Sequence, residues 1–83
     1  AEFLPRFASQ LELGKATQRR ARKLTERAVE DGHANGRNPS GVAAGALYLA
    51  ARHEDEAITQ AEAAEVADVT AVTVRTTYQA LQN

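Results

Sequence analysis

Val72, Arg75, Thr76 and Gln79 fall at i, i+3, i+4 and i+7 near the end of the chain. On a helix that spacing makes one face. A guanidinium there can donate in bidentate fashion to O6 and N7 of guanine, and a small apolar side chain one turn earlier can touch a thymine methyl. Val72 and Arg75 are thus a candidate base-reading pair, with Thr73, Thr76 and Gln79 able to serve bases or phosphates. No other grouping offers comparable chemistry. Ser9 and Ser40 have no nearby base to activate a hydroxyl. His33 and His53 have no second His or carboxylate at metal-ligand spacing. Glu54, Asp55 and Glu56 read as a solvated loop rather than a paired acid and base. Cysteine is absent, which removes disulfides, a thiolate nucleophile and Cys-type zinc sites. The reading is of a chain without catalysis, cofactor or metal.

The face exists only if its stretch is helical. "DVTAVTVRTT", residues 68–77, holds the β-branched Val69, Thr70, Val72, Thr73, Val74, Thr76 and Thr77, and branching at Cβ favours a strand. A strand, however, would split the apolar residues between its faces and find no partner for its ladder amides. A helix over 70–82 instead gathers Ala71, Val74, Tyr78 and Leu81 on a core face. Propensity is a weak prior that packing overrides. Just before it, Thr59-Gln60-Ala61-Glu62 has the spacing of a capping box. It opens a short helix with Ala63, Val66 and Ala67 inward, and Asp68-Val69-Thr70 is a tight connection with Thr70 as the next N-cap. A short helix, a brief turn and a second helix make a helix-turn-helix within 59–82, whose second helix would enter a major groove. Periodicity alone leaves a plain solvated helix open.

The rest of the chain supplies three more helices. Leu4, Phe7, Ala8 and Leu11 form one stripe of a first helix that Gly14 ends. A second runs from about Lys15 to Asp31 with Thr17, Ala21, Leu24 and Ala28 inward, and Gly32 suits the position past its end. His33 to Arg37 is a loop around Asn35-Gly36. Asn38-Pro39 opens the third helix as N-cap and first residue. "GVAAGALYLAA" is apolar nearly all round, as a central helix should be. Its Gly41, Ala43, Ala44, Gly45 and Ala46 would let neighbours approach closely. Arg52 to Glu56 reads as the exit loop. Phe7, Tyr48 and Tyr78 are expected in the core. The sum is one all-α domain over 1–83.

Composition narrows the function further. Net charge is −1 over 83 residues, which argues against a general nucleic-acid binder. Residues 1–54 are net basic, whereas in 55–83 Arg75 stands against Asp55, Glu56, Glu62, Glu65 and Asp68, a net −4. The longest apolar run, Val42 to Ala51, is too short for a membrane helix, and a soluble, intracellular chain is expected.

"LPRFASQLEL", "NGRNPSGVAAGALYLAA" and "TQAEAAEVADVTAVTVRTTY", in this order and spacing, resemble the second cyclin-like repeat of the general transcription factor IIB family, most closely archaeal transcription factor B. The match covers almost all of residues 2–82. It implies a five-helix cyclin-like fold ending in a helix-turn-helix. It also implies a role in transcription initiation with TATA-binding protein on bent promoter DNA, the helix-turn-helix reading the recognition element just upstream of the TATA box. Carried over by motif position, Val72 and Arg75 read bases, while Thr59, Gln60, Thr70 and Arg37 approach the phosphates. RNA polymerase would be met through parts of the parent protein outside this chain, and the domain itself would be monomeric. The implied location is the archaeal cytoplasm, at the nucleoid, or the nucleus for a eukaryotic source.

The sequence departs from that pattern where basic residues often stand in the family: here the positions are Ala57, Ile58 and Ala61. Phosphate contacts supply most non-specific affinity, so weak intrinsic DNA binding and dependence on a seated partner are expected. Arg19, Lys23 and Arg27, at i, i+4 and i+8, are a possible partner surface for DNA phosphate or an acidic protein patch. A solvated face helped by an Arg22–Glu26 pair is the plainer account. A cyclin-type protein-binding scaffold that never touches bases is the alternative function.

Overall fold

The computed structural model describes residues 3–32 and 34–82, so His33 lies outside the described residues. Among the described residues there are five helices and no strand: α1 Phe3–Gln10, α2 Lys15–Glu30, α3 Pro39–His53, α4 Gln60–Ala67 and α5 Ala71–Gln82. Of the β-branched stretch, Val72, Thr73, Val74, Thr76 and Thr77 are helical, while Val69 and Thr70 lie in the turn before α5. α3 packs against every other helix, and its residues from Gly41 to Leu47 are all buried. Small side chains on all sides permit that central position. Around it Phe7, Leu47 and Val74 are fully buried, each contributing about 1.5–3 kcal/mol. No described helix is long and apolar enough to cross a membrane.

Helix ends follow local chemistry. The Asn38 side chain accepts from the Ser40 amide at 2.9 Å, with Pro39 in the first turn of α3. The Thr59 hydroxyl accepts from the Glu62 amide at 3.0 Å while the Glu62 carboxylate accepts from the Thr59 amide at 2.8 Å, a complete capping box. α2 ends at Glu30 with Asp31 as its cap, and Gly32 follows at φ +78°. α3 runs on through Arg52 and His53, so the expected exit loop begins at Glu54, two residues late. Cations in a last turn favour continuation because they face the negative end of the helix dipole.

The acidic loop after α3 corrects a larger expectation. α2 starts at Gly14, which has no side chain to cap it, and its first turn holds no acidic residue. Glu56 fills both gaps from 42 residues away: its two carboxylate oxygens accept from the Gly14 amide at 3.1 and 3.2 Å. The same carboxylate accepts from the hydroxyl of fully buried Thr17. Beside it, Glu54 pairs with Arg20 at 2.7 Å. Of the three acidic residues only Asp55 is left to solvent, in the left-handed region at φ 63°. The loop is a strap from the end of α3 to the start of α2.

α5 lies tightly against α3. A Cβ built on Gly45 would sit 2.7 Å from the Thr77 methyl and 3.1 Å from the Tyr78 backbone nitrogen. A Cβ on Gly41 would sit 3.2 Å from the Thr73 methyl. Glycines at i and i+4 on α3 thus receive threonine methyls at i and i+4 on α5. Since the two pairs advance together, the helices run in the same direction. Tyr48 and Tyr78 continue the seam, their ring centroids 4.8 Å apart. They are half-buried rather than core, and the Arg52 guanidinium lies 5.9 and 5.8 Å from the two centroids. Phenol rings with one wet end suit such a border. Leu24 and Val66 are likewise half-buried.

These contacts set the outcome of three substitutions. Gly45→Ala should destabilise by about 1–2 kcal/mol: overpacking against backbone costs about 1–3 kcal/mol and helix propensity returns under 1. Gly41→Ala meets only a methyl at 3.2 Å and should cost much less; urea unfolding of the pair checks this, and equal losses at both sites would contradict the difference between the two notches. Glu56→Ala removes the remote cap and leaves Thr17 without its acceptor. It should cost about 1–3 kcal/mol and lower Tm by several degrees, with amide exchange rising first at residues 14–18.

Candidate nucleic-acid interface

α4 ends because Asp68 adopts the left-handed conformation, φ 56° and ψ 46°. Asp is one of the few side chains that tolerate it. Chain reversal then takes only Val69 and Thr70 before α5 begins. The Thr70 hydroxyl accepts from the Thr73 amide at 3.1 Å, and its carbonyl accepts from the Val74 amide at 3.1 Å, so Thr70 is the N-cap. The Thr70 and Thr73 hydroxyls lie 3.0 Å apart.

Beyond that cap the two sides of α5 differ. Val74 and Thr77 are buried, and Thr73, Tyr78 and Leu81 half-buried. Ala71, expected inward, is exposed. The reason is geometric: Thr73 meets Gly41, the third residue of α3, so two residues earlier α3 has run out. Thr77 takes the inward place instead. Its spacing to Val74 and Leu81 permits this, but a hydroxyl side chain does not announce a core position; the signal is the matched spacing of Gly41 and Gly45 with Thr73 and Thr77.

On the outer side Val72, Arg75, Thr76 and Gln79 are all exposed and form one stripe. Val72 keeps 57% of its surface exposed, and among the described residues only Val29 is a comparably exposed large hydrophobic. Arg75 makes no hydrogen bond or ion pair among the described residues. Its guanidinium is therefore available as a whole, one turn from the valine. The Thr76 hydroxyl donates to the Thr73 carbonyl at 3.2 Å, which keeps that side chain close to the helix. Thr73, by contrast, turns its methyl to Gly41 and its hydroxyl to the cap, which sets it apart from the outward stripe.

The supporting residues separate into two places. Because α3 and α5 are parallel, their N-termini lie at one end of the molecule. Arg37, exposed and just before the α3 cap, shares that end with Thr70. Two helix N-termini with a guanidinium beside them attract anions. Thr59, exposed, and Gln60, half-buried, stand at the start of α4, about 12 Å along the helix from the turn. Opposing charge comes from α4: Glu62 and Glu65 are exposed, as is Asp68. Glu62 is held by the capping box, and Glu65 has no such bond. On α2, Arg19, Lys23 and Arg27 are exposed, and Arg22 and Glu26 form no ion pair. Among the described residues no group of His, Cys, Asp and Glu has the makings of a metal site.

Comparison with known proteins agrees with this architecture. Residues 1–83 match the family described as Transcription factor TFIIB repeat. Transcription initiation factor IIB 1 of Halobacterium salinarum is 56% identical over 80 residues, 96% of this chain and 28% of that protein. Transcription initiation factor IIB of Methanopyrus kandleri is 48% identical over 79 residues, covering 95% of this chain and 26% of the relative. For the Haloarcula vallismortis factor of the same name the figures are 44% over 78 residues, 94% and 68%. The chain thus spans about a quarter of the length of the first two relatives. With its five helices, its central α3 and its terminal helix-turn-helix, the chain belongs to the transcription factor IIB repeat family of general initiation factors, an all-helical cyclin-like fold.

Proposed function

We propose that this chain is the second cyclin-like repeat of its parent factor, and that α4 and α5 read promoter DNA in the major groove just upstream of a TATA box. The reading is carried by one observation: Arg75 is exposed and unpaired, one turn from exposed Val72, on a helix whose opposite side is clamped into α3. In the proposed complex Arg75 donates to O6 and N7 of a guanine, and Val72 covers a neighbouring thymine methyl. Thr76 and Gln79 extend the stripe along the groove. Arg37 and Thr70 at the common N-terminal end, and Thr59 and Gln60 at the start of α4, hold phosphates and fix the register. Thr73 acts through the cap that orders the first turn of α5.

The charge of this half sets how tightly it holds. With Arg75 against five carboxylates in residues 55–83, few counterions are released on binding, so affinity without a partner is low. TATA-binding protein already seated on bent DNA supplies the missing affinity, and RNA polymerase is engaged through other parts of the parent protein.

A labelled promoter duplex titrated with the chain in the presence of TATA-binding protein tests this. Arg75→Ala should lose about 1–3 kcal/mol, roughly 5–150-fold, and flatten preference at one base pair upstream of the TATA box. A variant that ranks upstream sequences as the wild type does would sink the assignment. Glu65→Lys should behave oppositely. It should strengthen binding to all sequences alike and steepen the salt dependence by about one in log–log slope; a changed ranking would mean that this position touches bases.

A further inference from the structure

Lys15, Arg19, Arg22, Glu26 and Val29 fall at i, i+4, i+7, i+11 and i+14, a single strip along α2. All five are exposed. Three adjoining depressions follow the strip. The first lies among Lys15, Gln18, Arg19 and Arg22. The second shares Arg22 and continues to Leu4, Thr25 and Val29. The third shares those last three and ends against Phe3, Pro39 and Val42. Together they make a trough of about 21 Å at 1.5 Å per residue, cationic at one end and mainly apolar at the other, where Arg37 stands at the edge.

Leu4 and Val42 belong to the core, but neither the cations nor Val29 serve the fold. Lys15, Arg19 and Arg22 make no ion pair among the described residues, and they crowd the N-terminal half of a helix, where the dipole disfavours cations. Like charges at this spacing add to that cost. Val29 is the most exposed large hydrophobic of the described residues, at 67%, beside the apolar depression rather than in the core.

We propose that this trough docks a segment of another protein, carrying carboxylates at one end and bulky aliphatic side chains about two helical turns away. The chemistry favours a protein over a second stretch of DNA. A phosphate chain gains nothing from Val29, Leu4 and Phe3, and Glu26 in mid-strip repels an unbroken row of phosphates. Position agrees. Arg20 of α2 pairs with Glu54 just past the end of α3, whereas Thr73 of α5 meets Gly41 near its start. The cationic end therefore lies about 20 Å, the length of α3, from the start of the reading helix. A duplex on α5 leaves the cationic end free and reaches no further than Arg37, at the edge of the apolar end.

The test uses Ala-based helical peptides with two glutamates and two leucines set one, two or three turns apart. A leucine-to-serine control and an arbitrary-sequence duplex complete the set, and all are titrated against the labelled chain by anisotropy and amide shifts. Affinity should peak at two turns, with shifts over residues 15–29. It should fall at least about tenfold for the serine control, for Val29→Asp and for Arg19→Glu with Arg22→Glu. These surface changes should leave the helical circular dichroism unaltered. A flat spacing series, insensitivity to Val29→Asp, or shifts confined to 70–79 would overturn the proposal. So would a duplex that shifts residues 15–29 as strongly as the peptides do, which would make the face a phosphate binder. DNA reading by Arg75 is measured separately and stands or falls independently.

Discussion

The fold turns on the place where Gly45 lacks a side chain. Because no Cβ stands there, the Thr77 methyl and the Tyr78 backbone come against α3 at a separation no other residue would permit. Thr73 repeats the arrangement one turn earlier against Gly41. Two such contacts fix not only the distance of α5 but its rotation about its own axis. A helix turns 100° per residue, so a slip of one position would carry Arg75 off the outward stripe. The β-branched side chains of α5 cost a few tenths of a kcal/mol each in propensity. In exchange, they are short enough to enter the glycine notches, and stiff enough at χ1 to keep a methyl there. The residues that looked least helical are the ones that hold the helix in register.

A second constraint works at the opposite end of α3. The strap from Glu54 to Glu56 brings one carboxylate to the uncapped start of α2 and another to Arg20. It thereby fixes where the chain sets out for α4. Glu62 is spent in the capping box of α4 itself. Much of the acidity of the α4–α5 half is therefore structural. The carboxylates of Glu56 and Glu62 satisfy orphan amides at helix starts, where negative charge is favoured. Only Asp55, Glu65 and Asp68 are left without such bonds, and Asp68 is tied to the left-handed backbone of the turn.

What the sequence made legible follows the range of each interaction. The caps at Asn38, Thr59 and Thr70 are decided within three or four residues, and each reads directly from residue type and spacing. The apolar, small-residue character of α3 announces a central helix, and the stripe of Val72, Arg75, Thr76 and Gln79 is periodic. Glu56 was not legible, because its partners Gly14 and Thr17 are about forty residues away and no period connects them. The place of Thr77 needed two helices compared at once. Ala71 misled because periodicity assumes a neighbour along the whole helix, and α3 stops short. The tyrosines depart from expectation for a related reason: ring size suggests burial, but Tyr48 and Tyr78 lie where the α3–α5 seam opens and Arg52 closes it.

On the proposed reading, an acidic α4–α5 half is an advantage for discrimination. Non-specific affinity grows with the number of phosphates neutralised and is common to every sequence. A half with one arginine gains little of it, so a bidentate contact of about 1–3 kcal/mol is a large share of what binding energy there is. Occupancy must then come from elsewhere. Tethering beside a partner already on the promoter gives an effective concentration near millimolar, enough for a site whose own free energy is only about −4 kcal/mol. Location is thereby assigned to the partner and choice among sequences to α5. That division asks of the fold what the glycine notches provide: a guanidinium on a helix of fixed rotation, with no partner among the described residues to surrender when the base arrives.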